Sequence, residues 1–114
     1  MKGERHYEKA EEIMESIYQL AEDDGKHVVS IVELCYGAAQ HYIAYGCEKK
    51  YGRHFDTHAG MPRLLREMGE DDIAIAFEQI DTFRHGRWYG SKGNGRIVRE
   101  CLKMIKQIKE WAIE

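Results

Sequence analysis

The 114-residue chain predicts an all-α protein, an antiparallel up-and-down bundle of four main helices and one short helix in a single domain spanning residues 1–114. Three observations predict it. Apolar residues recur with the 3.6-residue period of a helix through almost the whole sequence. Glycines and acidic residues stand where the periodic stretches end or begin. No alternating strand-like segment bounded by turn signals competes, and neither a linker nor an internal repeat divides the chain.

Each element has its own justification. Ala10, Ile13, Met14, Ile17, Leu20 and Ala21 mark a first helix over about residues 4–23, ended by Asp23-Asp24-Gly25-Lys26, whose glycine suits a left-handed C-cap. Val28, Val32, Cys35, Ala39, Tyr42 and Gly46 mark a second over about 28–51. Each glycine in it costs up to about 1 kcal/mol of helix propensity, tolerable where a neighbouring helix must come close. After the loop 52–56, Asp56 or Thr57 is expected to cap a short third helix carrying Met61, Leu64, Leu65 and Met68, with Pro62 in its first turn and Gly69 at its end. Asp71 and Asp72 suit the positive end of a fourth helix, which runs to about Trp88. A glycine-dense loop, 90–95, leads to a fifth over about 96–113. That helix carries one stripe of Ile97, Cys101, Met104, Ile108 and Trp111 and a second flank of Val98, Leu102 and Ile105. The flank is either a wide core contact or an oligomer interface.

Bulk properties exclude several classes. Hydrophobic content of 43% and charged content of 32% fit a globular protein, not a disordered one. No apolar run approaches the ~20 residues of a membrane span, and residues 1–8 lack a signal-peptide core, so a cytoplasmic location is expected. Cys35, Cys47 and Cys101 form no C-x-x-C pair; they are expected in the core as small hydrophobes. Neither H-E-x-x-H nor Glu-x-x-His occurs, so no metal site is expected.

Charge is distributed unevenly. Residues 1–25 carry eight acids against three bases, whereas residues 84–109 carry eight bases against one acid, Glu100. Either two oppositely charged faces meet, as when the first helix lies beside the last, or a basic surface receives phosphate.

The sharpest local signal is Ile80-Asp81-Thr82-Phe83-Arg84-His85-Gly86-Arg87-Trp88-Tyr89-Gly90. At 100° per residue, Ile73, Phe77, Ile80, Arg84 and Arg87 share one narrow stripe. Arginine on an apolar stripe needs a partner or runs out into solvent, because an unpaired buried ion costs several kcal/mol, on the order of its desolvation penalty. Arg87 lies one turn beyond Arg84, so both guanidinium groups can converge on one anion, unless acids such as Glu33 or Asp81 neutralise them. Trp88 and Tyr89 could stack on a base. His58, expected in the first turn of the third helix, is a further anion-binding candidate beside Thr57. The glycine loop matches no phosphate-loop spacing. Four tyrosines on the second helix, Tyr36, Tyr42, Tyr45 and Tyr51, read as packing with wet hydroxyls.

Three segments together resemble the HEPN family of small helical domains, over about residues 5–112. They are Tyr36-Gly37-Ala38-Ala39-Gln40-His41-Tyr42, Asp56-Thr57-His58-Ala59-Gly60-Met61, and Ile80-Asp81-Thr82-Phe83-Arg84 followed by Tyr89-Gly90. The resemblance implies a bundle that is usually dimeric. Many members are ribonucleases or toxins that use Arg-x-x-x-x-His at the dimer cleft. Arg84 matches that arginine, but Tyr89 stands at the histidine position, and a phenol near pKa ~10 is poorly matched to proton exchange at neutral pH. Other members, often paired with a minimal nucleotidyltransferase, carry arginine followed by Tyr-Gly as here. The resemblance therefore implies a non-catalytic, toxin–antitoxin-like module, a homodimer without cofactor. It would bind a nucleotide, RNA or a nucleotidyltransferase partner through Arg84, Arg87, Tyr89 and His58. Two alternatives stand beside it: a metal-independent ribonuclease with His85 or His58 as displaced histidine, and a structural homodimer without ligand.

Overall fold

A computed structural model of the protein describes residues 3–23, 26–54, 60–86 and 95–114. Five α-helices follow one another: α1 (Gly3–Leu20), α2 (Val28–Tyr51), α3 (Met61–Glu67), α4 (Asp71–Gly86) and α5 (Gly95–Ile113). No strand occurs among the described residues, and no helix among them is long and apolar enough to cross a membrane.

Local chemistry sets the ends. α1 tightens at Ala21–Asp23 into a 3₁₀ turn rather than continuing as α-helix to residue 23; the expected cap at Gly25 lies outside the described residues. α2 has the predicted bounds. It stops at Gly52, whose φ of 65° is open to glycine at little cost, and the N–H groups of Gly52 and Arg53 close onto the carbonyls of Glu48 and Cys47. α3 is described from Met61, with Gly60 as N-cap and no side-chain cap; the expected caps Asp56 and Thr57, and His58 with them, lie outside the described residues. Pro62 sets that start, because its fixed φ and missing N–H suit the first turn. Gly69, at φ 80°, ends the helix as predicted. α4 starts at Asp71 as expected and is described to Gly86; the predicted end at Trp88 falls outside the described residues.

α2 is the central element and packs against α1, α4 and α5, while α3 packs on α4. One contiguous cluster holds buried side chains from all five helices, Ile17, Tyr42, Leu65, Phe77 and Ile108 among them. Each such side chain contributes about 1.5–3 kcal/mol by leaving water. The three cysteines are buried and free, as expected. The thiol of Cys35 is raised far above its usual range by a hydrogen bond with Cys101 and by burial, so it remains an inert thiol.

The small residues of α2 have the predicted purpose at one position. A Cβ on Gly46 would come within 2.5 Å of the Trp111 ring, so α5 can approach only because glycine is there. On α5 the second flank resolves into a wide core contact for two of its three residues. Val98 and Ile105 are buried within the chain, and only Leu102 is half exposed. They therefore give no support to an oligomer interface of their own.

Candidate functional site

Arg84 stands in the last turn of α4, where a cation is favoured by the helix dipole. Ile73, Phe77 and Ile80 on the same stripe are buried, so the stripe carries Arg84 to the edge of the core, with 27% of its side chain exposed. The charge on the apolar stripe does have partners. Nε of Arg84 donates to Asp81 Oδ1 at 3.1 Å, and Nη2 lies 3.1 Å from the same oxygen. Nη1 faces Glu33 Oε2 on α2 at 3.8 Å. The guanidinium lies over the Tyr36 ring, 4.0 Å from its centroid, and Tyr36 in turn stacks on Phe77 at 5.1 Å with 16° between planes. Guanidinium, phenol and benzene ring thus form one stack, fastened at its outer edge by carboxylates.

The electrostatics follow from this arrangement. Burial would weaken the Arg84 charge, but the hydrogen bond with Asp81 and the field of Asp81, Tyr36 and Glu33 outweigh it, and the group is held above its ordinary value. Burial and Asp81 push the Tyr36 hydroxyl up, against the opposing pull of Arg84, so it stays a neutral phenol. His85 joins the cluster from its exposed side. Its Nδ1 lies 3.2 Å from Asp81 Oδ1 and 3.0 Å from the Asp81 carbonyl oxygen. Asp81 therefore bridges a guanidinium and an imidazole.

Of the four residues expected to bind an anion, Arg84 is the one described. Arg87, Tyr89 and His58 lie outside the described residues. Glu33 and Asp81, the acids named above as intramolecular partners, both face Arg84. An incoming phosphate must compete with them at the negative end of α4. Among the described residues no group of three or more histidine, cysteine, aspartate or glutamate side chains could hold a metal ion.

Two features had no local signal in the sequence. His6 Nδ1 of α1 lies 3.0 Å from His41 Nδ1 of α2. On the other side of α1, Glu11 accepts a hydrogen bond from the Tyr42 hydroxyl and pairs with Lys109 of α5 at 3.0 Å. Lys109 also lines a groove of about 580 Å³ between α1 and α5, together with Met14, Tyr18, Leu102, Ile105 and Ile113. α1 and α5 each pack against α2, and the Glu11–Lys109 ion pair links the acidic first helix to the basic fifth one.

Comparison with known proteins identifies no relative: no family model, no curated protein and no solved structure matches this chain.

Proposed function

We propose that the chain is a non-catalytic binding module of the HEPN type, an antiparallel up-and-down bundle acting in the cytoplasm as a homodimer. Its ligand is a nucleotide, an RNA end or a nucleotidyltransferase partner carrying an exposed anion. The observation that supports this reading is the pre-oriented guanidinium of Arg84. Tyr36 fixes its plane, Asp81 ties one edge, and Nη1 forms an ion pair with half-exposed Glu33 at 3.8 Å. A phosphate that displaced Glu33 would meet a cation whose rotamer freedom is already spent, which lowers the entropic cost of binding. Arg87, Tyr89 and His58 complete the proposed site.

Calorimetric titration with nucleotides and short RNA, at low and moderate salt, tests it. Binding that weakens in Arg84→Ala while the fold persists supports the module. If neither protein binds and Arg84→Ala only lowers the melting temperature, Arg84 is a structural ion-pair partner.

One contact favours a second reading, a metal-independent ribonuclease. Asp81 beside His85 Nδ1 orients the imidazole, with Arg84 adjacent to hold phosphate charge. RNA cleavage that disappears in His85→Ala would select this reading over the first.

A further inference from the structure

α1 and α5 each pack on α2, and the groove between them has two unlike walls. α1 contributes the apolar Met14 and Tyr18 and no charge. α5 contributes Leu102, Ile105 and Ile113 together with four bases and a single acid, Glu110. Tyr18 is 61% exposed and Ile113 45%, so apolar surface stands open to water along the groove. Of the four bases, Lys109 is held by Glu11. Arg99, Lys103 and Lys106 are exposed and recur at i, i+4 and i+7, which sets them in one row along α5. Among the described residues no acid pairs with Lys103 or Lys106.

We infer that this groove docks an acidic amphipathic helix of a partner protein, its apolar face on Tyr18, Leu102 and Ile113 and a row of carboxylates along Arg99, Lys103 and Lys106. Charge and length select that occupant. The lining runs from residue 99 to residue 113 of α5, about 21 Å or about four turns at the rise of an α-helix. An occupant must carry an apolar stripe and an anionic row side by side over that length. A helix does so with residues spaced three and four apart. An amphiphile with one anionic head would meet the row of cations at a single point. A nucleic acid offers no aliphatic stripe to Leu102 and Ile113. A duplex would also set its second row of phosphates against the exposed Glu15, which helical spacing places just outside Tyr18 on α1. A helix with its acids on one flank avoids that repulsion. None of the groove's lining residues belongs to the Arg84 cluster, so this face and the anion site proposed there fail or stand separately.

Two synthetic peptides of about 18 residues, long enough to hold a helix, probe the groove. Both carry leucine at i, i+3, i+4 and i+7 and glutamine elsewhere, except along one flank, which is glutamate in the first and lysine in the second. Amide chemical shifts of the isotope-labelled full chain locate the contact, and fluorescence anisotropy gives the affinity. The glutamate peptide is expected to shift amides of α1 and α5 around Tyr18 and Leu102, and to bind more weakly as salt rises. The lysine peptide is expected to bind at least about tenfold more weakly. Lys103→Glu/Lys106→Glu is expected to reverse that order, and Tyr18→Ser to weaken the glutamate peptide at least about fivefold. All three substituted positions are exposed, and circular-dichroism melts check that each variant folds. Equal binding of the two peptides, no binding of the glutamate peptide at up to ~100 µM, or shifts confined to other helices overturns the inference. Binding of a short RNA duplex that Lys103→Glu/Lys106→Glu abolishes would assign the face to nucleic acid, and a dimer that the same substitutions dissociate would assign it to a second copy. Either result also overturns the acidic helix.

Discussion

Nδ1 of His6 and Nδ1 of His41 lie 3.0 Å apart, so α1 and α2 are joined by a hydrogen bond in which one ring donates and the other accepts. Removing one partner is expected to cost about 0.5–1.5 kcal/mol, the net worth of an ordinary hydrogen bond. Urea midpoints of wild type and His41→Ala at pH 7 measure this, and an unchanged midpoint would show that the contact adds nothing to the α1–α2 packing.

Glu11 adds an acid-sensitive link. Burial alone would raise its carboxyl, but hydrogen bonds from Tyr42 and Lys109 outweigh that and hold it below the ordinary value of 4.5. A lowered carboxyl stabilises the fold above its unfolded value, and this contribution is lost as pH falls through the folded value. Glu11→Ala at pH 7 leaves the buried Tyr42 hydroxyl without its acceptor and is expected to cost about 1–3 kcal/mol. Its denaturation curve below pH 4.5 should lie closer to that of the wild type than at neutral pH.

Two glycines of α2 are expected to respond oppositely to alanine. At Gly46 the new Cβ would meet Trp111 ring carbons at 2.5 and 2.8 Å, and overpacking of this kind costs about 1–3 kcal/mol. At Gly37 the Cβ would meet Ile13 Cδ1 at 3.7 Å, an ordinary contact. Gly37→Ala is therefore expected to stabilise by up to about 1 kcal/mol through helix propensity alone. Thermal denaturation of the two variants gives the comparison.

Arg84→Lys keeps the charge but loses the flat face that Tyr36 covers and the side-on approach to Asp81. A loss of about 1 kcal/mol in unfolding free energy is expected, with the far-ultraviolet spectrum unchanged. A variant as stable as wild type would show that point charge alone holds this end of α4.

The helices were legible because local rules govern them. The period of Val28, Val32, Cys35, Ala39 and Tyr42 locates α2, and Gly69 ends α3. Pro62 was legible as a first-turn residue of α3 because its fixed φ and missing N–H suit that place. The flank of α5 could not be resolved from one helix. Whether Val98 and Ile105 face a core depends on what packs against them. At the candidate site, Asp81 was legible as a neighbour three residues from Arg84, and Glu33 as an acid on α2. The links His6–His41 and Glu11–Lys109 join residues 35 and 98 positions apart, a separation on which no helical period bears.

The approach of Trp111 to Gly46 also sets an order of events during synthesis. α2 buries one side against α1, which is made before it, and another against α5, which is made after it. A nascent chain that ends before Gly95 carries α2 with Cys35, Gly46 and their neighbours lacking the helix that covers them. Such a chain exposes an apolar strip and is prone to stick to other chains. Productive folding of this bundle therefore waits for α5, and a chain that stops short of it is left with that strip uncovered.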